Sequence, residues 1–122
     1  VVVDDFAIIG GMSAGHQFVH LGRHVMIQGG SLIGKDVPPY VKAGRLPLSY
    51  AGVNSIGLRR RGFVNEKINE IQDIYRILFQ SGLNNSDAVE RIEAEMPASK
   101  ERDEIIMFVR NSKRGVMKGY MG

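Results

Sequence analysis

Cysteine is absent from the 122 residues, and so is tryptophan. Without thiols there is no disulfide framework, no thiolate zinc site and no cysteine nucleophile. Long apolar runs are also missing. Nowhere do about 18 apolar residues follow one another, so no membrane span is expected. The opening Val1-Val2-Val3-Asp4 carries no methionine and no charged segment leading into an apolar core, so no secretory signal is read there. No Gly-Lys-Ser/Thr follows phosphate-loop spacing, and no metal or cofactor motif stands out. Charge of one sign does not dominate: 16 Lys and Arg face 13 Asp and Glu.

What is present suits a globular chain of one or two small domains, with 43% hydrophobic and 24% charged residues. Charge is unevenly spread. Residues 1–50 carry four basic and three acidic groups, whereas residues 51–122 carry twelve and ten. Arg59-Arg60-Arg61 and the stretch Arg110 to Lys118, with four basic groups and no acid, are the two basic clusters. Such clusters suit phosphates or an acidic protein partner, although solvated charge is the commoner use of a single run.

The first third repeats every six residues. Val3, Ile9, Gly15, Leu21, Ile27 and Ile33 form a mostly aliphatic column; Asp4, Gly10, His16, Gly22, Gln28 and Gly34 follow them, half of them glycine. A helix needs a 3.6-residue period and would not tolerate so many glycines, and a hairpin sheet would alternate every two. The hexapeptide repeat of a parallel β-helix fits both columns. In its left-handed form three hexads close one triangular coil, so residues 18 apart stack: Val3 under Leu21, Ile9 under Ile27, Gly15 under Ile33. Two coils are about 10 Å tall, and solenoids need about three units for stability. The chain is therefore expected to be the C-terminal part of a longer β-helix.

Asp36-Val37-Pro38-Pro39-Tyr40 is expected to end the solenoid, since two prolines cannot donate ladder hydrogen bonds. Residues 1–40 thus read as terminal coils, 41–62 as an extended connector with a basic loop, and 63–122 as a small helical domain. Three helices are predicted in the last segment. The first has Asn65 as cap, a stripe of Ile68, Ile71, Tyr75, Leu78 and Phe79, and Gly82 as stop. The second follows Ser86 and ends before Pro97, with Val89, Ile92 and Met96 inward. The third is capped by Ser99, opens with Glu101, Asp103 and Glu104, and buries Ile105, Ile106, Phe108 and Val109. Residues 115–122 are expected to fray.

His16, His20 and His24 recur every four residues, which on a helix would suggest a metal site. In a six-residue frame they fall in three columns and point three ways, so each is expected as an exposed loop histidine. His16 is set apart by its glycine-column position beside Gln17, where an imidazole can orient a substrate or exchange a proton at neutral pH. Arg60 and Arg61 present adjacent guanidinium forks suited to a diphosphate, with a solvated basic turn as the plainer reading. Nucleic-acid binding lacks both an aromatic platform and a strongly basic face.

The runs Asp4-Asp5-Phe6-Ala7-Ile8-Ile9-Gly10-Gly11-Met12, His16-Gln17-Phe18, Asp36-Val37-Pro38-Pro39-Tyr40 and Gly52-Val53-Asn54 to Arg60-Arg61-Gly62-Phe63 resemble the C-terminal half of the acyl-carrier-protein–UDP-N-acetylglucosamine O-acyltransferases. This hexapeptide-repeat family opens lipid A biosynthesis. The resemblance implies a cytoplasmic homotrimer of left-handed β-helices with C-terminal helical domains and active sites in the grooves between subunits. It implies transfer of a 3-hydroxyacyl chain from the carrier-protein thioester to the glucosamine 3-hydroxyl of UDP-N-acetylglucosamine, without a cofactor. The family's general-base histidine lies about one coil before Val1, so the isolated segment is expected to be inactive. By the same resemblance His16 and Gln17 support substrate, Asn54, Arg60 and Arg61 hold the nucleotide sugar, and Gly29 sits where side-chain bulk limits acyl length. Two positions depart from the family pattern: Gly15 replaces an aliphatic beside His16, and Ile56 stands where a carboxylate is often found. A non-catalytic reading keeps only trimerisation and carrier-protein docking, with Arg110 to Lys118 receiving the acidic carrier. A related enzyme acting on another acyl-sugar nucleotide is a further alternative.

Overall fold

Six two-residue strands at six-residue intervals open the chain: β1 (Val2–Val3), β2 (Ile8–Ile9), β3 (Ala14–Gly15), β4 (His20–Leu21), β5 (Met26–Ile27) and β6 (Leu32–Ile33). The structure, a computed structural model, describes residues 2–9, 14–15, 19–28, 32–33, 35–44, 49–112 and 116. The strands pair in parallel one coil apart, with Val3 opposite Leu21, Ile9 opposite Ile27 and Gly15 opposite Ile33. This is the register that the hexad columns predict. In the upper coil Leu21 and Ile27 are fully buried, with Val19 and Val25 beside them. Val3 and Ile9, their equivalents below, are 46% and 43% exposed, because no coil of this chain lies under them.

The stack does not stop at the two prolines. Strand β7 (Val41–Gly44) adds in parallel to β5, with Met26 opposite Lys42 and Ile27 opposite Ala43, and β8 (Ser49–Val53) adds antiparallel to β7. Leu21 and Val37 are likewise bridged. Each of these parallel partners lies 16 residues on, two fewer than in the coil below. Pro38 and Pro39 occupy the turn before β7, where no ladder donor is required, and Tyr40 resumes the backbone bonding by donating to Arg23 O at 2.8 Å. Gly22 is needed for this closer winding. A methyl group on it would sit 2.6 Å from the Pro39 nitrogen, inside contact distance of rigid backbone. Residues 41–62, predicted as an extended connector with a basic loop, therefore hold two strands and a short helix, α1 (Ser55–Arg60).

Helices α2 (Asn65–Gln80), α3 (Asn85–Glu95) and α4 (Lys100–Asn111) follow. In α2 the residues Ile68, Ile71, Ile74, Tyr75 and Leu78 are buried, and Phe79 packs partly against the same core. The predicted Asn65 cap is not made. Val64 precedes the helix without a side-chain cap, and Asn65 Oδ1 instead accepts from Arg59 Nε at 3.0 Å. Gly82 adopts φ +81°, beyond the C-cap Ser81, as a helix stop does. Asn84 caps α3 through a 2.8 Å bond from Asp87 N, which starts that helix just before Ser86. Ser99 caps α4 as predicted, accepting from Arg102 N at 3.0 Å. Of the tail 115–122, only Val116 is among the described residues; it is buried and bridged to Asp36.

One core joins coil and helices, from Leu21, Ile27 and Val41 through Tyr50 and Tyr75 to Ile92 and Ile105. Polar ties add direction to it. Tyr75 Oη donates to Pro39 O at 2.6 Å, Ser112 Oγ donates to Asp36 Oδ2, and Lys67 of α2 pairs with Glu101 of α4 at 3.1 Å.

Candidate functional site

The loop after β8 turns sharply because Asn54 caps α1. Its Oδ1 accepts from Gly57 N at 3.4 Å, its Nδ2 donates to His24 O at 3.1 Å, and its backbone N–H donates to Tyr40 O at 2.7 Å. Asn54 is 5% exposed. This cap aims α1 so that Arg60 reaches a cavity of about 300 Å³ shared with Lys42, Ser55, Ile56, Ile8 and Met26, with Asn54 in its lining. Ile8, Met26 and Ile56 are all large apolar side chains left exposed. The hollow is therefore two-faced, aliphatic along the stacked strands β2 and β5 and cationic at Arg60 and Lys42. Ile56, at the position where the family resemblance suggests a carboxylate, makes its rim more apolar.

Of the sequence-predicted site residues, Asn54 and Arg60 line this cavity. Arg61, the next residue, is outside that lining; its Cζ lies 4.2 Å from the centroid of the Phe6 ring. Among the described residues neither Arg60 nor Arg61 is paired with a carboxylate, whereas Arg110 of the other basic stretch is held by Glu93. His16, Gln17 and Gly29 lie outside the described residues, as do 113–115 and 117–118 of that stretch. No group of three or more His, Asp or Glu residues converges on a metal-sized site among the described residues. No described helix is long and apolar enough to cross a membrane.

His20 and His24 depart from the exposed loop histidines expected of them. His20 is half-buried; its Nε2 is 2.9 Å from Asp4 Oδ2 and its ring packs on Phe108 of α4. His24 is only 4% exposed, and among the described residues its Nδ1 has no hydrogen-bond partner. Its ring is sandwiched between Phe6, at 5.0 Å and 16°, and Tyr40, at 5.7 Å and 15°, with Phe63 edge-on. Among the described residues, Phe6, His24 and Tyr40 are also the non-glycine residues with positive φ, at 63°, 59° and 74°. They form one corner of the coil, repeated in three rows. The 18-residue spacing of Phe6 and His24 was a signal for this column; Tyr40 falls out of step because its coil is two residues shorter. At the far end, Tyr40 donates to Glu104 Oε1, and Arg23 grips the same carboxylate through Nε at 3.0 Å and Nη2 at 2.8 Å. Burial works against the Glu104 charge, but the bonds from Arg23 and Tyr40 outweigh it and hold its pKa below the usual carboxylate range.

Burial also lowers the His24 pKa, helped by the charges of Arg23 and Arg61 and opposed by Glu104. As pH falls through about 6.5 the unfolded chain takes up this proton first. Folded stability is thus full above that pH and declines below it, until the folded pKa is passed and both states are protonated. The melting temperature should fall between pH 7 and 5, and His24→Phe, which keeps a ring in the stack, should flatten part of that fall. An unchanged pH profile in His24→Phe would show that the folded state does not exclude the proton at this site.

Two of the larger hollows lie elsewhere. One of about 560 Å³ between β8 and α2 is lined by Tyr50, Gln72, Arg76 and Gln80, and its Arg76 is engaged by Asp73. The other, of about 420 Å³, lies between the coil and α4 and is lined by His20, Asp36 and Phe108, with Asp36 already bonded to His20 N and Ser112. Neither brings together the residues that the sequence points to.

A family model described as UDP-N-acetylglucosamine O-acyltransferase, domain 2, matches residues 36–117. The acyl-[acyl-carrier-protein]–UDP-N-acetylglucosamine O-acyltransferase of Myxococcus xanthus is 40% identical over 118 residues, covering 97% of this chain and 46% of that protein. The chain thus spans about half the length of the curated relatives it matches. Among solved structures, a UDP-N-acetylglucosamine acyltransferase from Bacteroides fragilis superposes with a TM-score of 0.92 at 54% identity, covering 96% of this chain and 46% of that one. The enzyme from Acinetobacter baumannii gives 0.89 at 37% identity, covering 95% and 45%. These neighbours are left-handed β-helix proteins, and the partial coil with its helices is the corresponding part of that fold. With the family model matching most of its length and the coil register matching its hexads, the chain belongs to the UDP-N-acetylglucosamine O-acyltransferase family.

Proposed function

We propose that the chain is the C-terminal portion of an acyltransferase that moves a 3-hydroxyacyl group from acyl carrier protein to the glucosamine 3-hydroxyl of UDP-N-acetylglucosamine, in the cytoplasm, at the first step of lipid A biosynthesis. The sugar hydroxyl attacks the thioester carbonyl, its proton passes to a general base, and the carrier thiol departs. The base belongs to a coil below Val3 and Ile9, whose exposed inward column is what another coil would cover. This segment holds the nucleotide sugar and so contributes orientation, which lowers the barrier by removing translational and rotational freedom beforehand. Arg60 and Arg61 take the diphosphate and Asn54 shapes the wall against it, with His16 and Gln17 supporting substrate and Gly29 leaving room for a longer acyl chain. A homotrimer would close the open side of the cavity.

The single observation that carries this reading is the two-faced cavity. An aliphatic strip of Ile8 and Met26 beside Arg60, Lys42 and Asn54 matches a ligand that is both an acyl chain and a nucleotide diphosphate. The test is calorimetric binding of UDP-N-acetylglucosamine to the complete gene product. Arg60→Ala/Arg61→Ala should weaken it at least about 30-fold, close to 2 kcal/mol. Equal binding by parent and variant would leave the trimerisation and carrier-docking reading instead.

A further inference from the structure

We propose that Phe6 is a positioning residue for Arg61, holding its guanidinium in a ready orientation toward the nucleotide diphosphate; the inference rests on the nucleotide-sugar reading above. Phe6 is 52% exposed, so it is not there to fill a core. Its φ of 63° is a conformation that a bulky side chain rarely adopts. That conformation lays the ring flat on His24, at 5.0 Å and 16°. His24 is in turn backed by Tyr40, and Phe63 packs edge-on against both His24 and Tyr40. One face of Phe6 is thereby held by a rigid stack. Arg61 Cζ sits over the ring, 4.2 Å from its centroid, and among the described residues the arginine has no carboxylate partner.

An aromatic face suits this task better than a carboxylate does. It orients the plane of the guanidinium by quadrupole attraction while leaving the positive charge and the N–H edge available to an anion. A salt bridge would neutralise the group it positioned. An arginine on a mobile stem must otherwise surrender several rotamers when it binds, and that cost appears directly in affinity. Phe6 also lies two residues before Ile8, which lines the cavity reached by Arg60. The two adjacent arginines are thus steered separately, Arg60 by helix α1 and Arg61 by the coil corner.

The experiment compares Phe6→Leu, Phe6→Tyr, Arg61→Ala and Phe6→Leu/Arg61→Ala in the complete gene product. Phe6→Leu should raise KM for UDP-N-acetylglucosamine about 3- to 10-fold with kcat within twofold of the parent, as expected when a binding interaction alone is weakened. Phe6→Tyr, which keeps the ring face, should restore KM to within twofold. In the Arg61→Ala background Phe6→Leu should add less than twofold, because there is no guanidinium left to orient. Should Phe6→Leu fail to fold, Phe6→Met removes the ring with less loss of bulk and is read the same way. An unchanged KM in Phe6→Leu, an equal rise in Phe6→Tyr, or a full additional rise on the Arg61→Ala background would each overturn the positioning role. If Arg61→Ala alone leaves KM and nucleotide-sugar affinity intact, the assignment of Arg61 to the diphosphate fails, and the positioning role fails with it.

Discussion

Tyr75→Ala should cost about 4 kcal/mol of folding stability, in the range for removing a buried aromatic, and should free the helices from the coil. Tyr75 is fully buried at the middle of α2. It stacks on Tyr50 of β8 at 5.6 Å and on Phe79 at 5.6 Å, and its hydroxyl donates to Pro39 O at 2.6 Å. Burial raises its pKa well above 10, so the phenol remains a donor throughout the physiological range. Tyr75→Phe keeps the ring and forfeits only the bond to the turn, so about 1 kcal/mol should be lost. Urea denaturation of both variants separates the contributions. Equal losses would mean that the hydroxyl, rather than the ring, seats α2 on the coil. A negligible loss in Tyr75→Ala would remove Tyr75 from the interface altogether.

Asn54→Ala should be the second large effect, about 3 kcal/mol. It combines about 1 kcal/mol for a lost helix cap with about 2 kcal/mol for leaving the buried carbonyl of His24 without its donor. The family resemblance implies that Asn54 contacts the nucleotide sugar, whereas the structure engages both ends of its amide within the chain. Asn54→Asp separates these roles: it retains the cap oxygen but sets a carboxylate against the His24 carbonyl. Both variants should therefore be destabilised, and nucleotide-sugar binding should weaken in proportion to the disorder of α1. Intact stability in Asn54→Ala together with lost affinity would make its contact with ligand the principal one.

How far the sequence reaches can be judged residue by residue. Val3, Leu21, Ile9 and Ile27 found their partners 18 residues away because an inward aliphatic each sixth residue leaves one register in which the column is continuous. Ser99 and Gly82 marked helix ends because capping is local chemistry. Asn65 failed as a cap because Arg59, six residues earlier, drew its side chain away, a competition that propensity alone does not reveal. The continuation through β7 was hidden behind Pro38-Pro39. A missing N–H forbids a strand interior but not a turn, and only the shortened coil shows that the prolines fall in one.

By itself the sequence determined the hexapeptide coil, the helical tail and the family, since each depends on short-range periodicity or on motifs contiguous along the chain. Tertiary structure alone decided that His24 is buried in a ring stack, that Glu104 reaches across from α4 to close it, and that the two neighbouring arginines part company. These outcomes depend on which side chains meet once the coil is wound and the helices are packed on it, from His24 and Tyr40, 16 residues apart, to Arg23 and Glu104, 81 apart. Contacts of that kind are set by the geometry of the shared core, and apart from the 18-residue repeat of Phe6 and His24 no spacing encodes them.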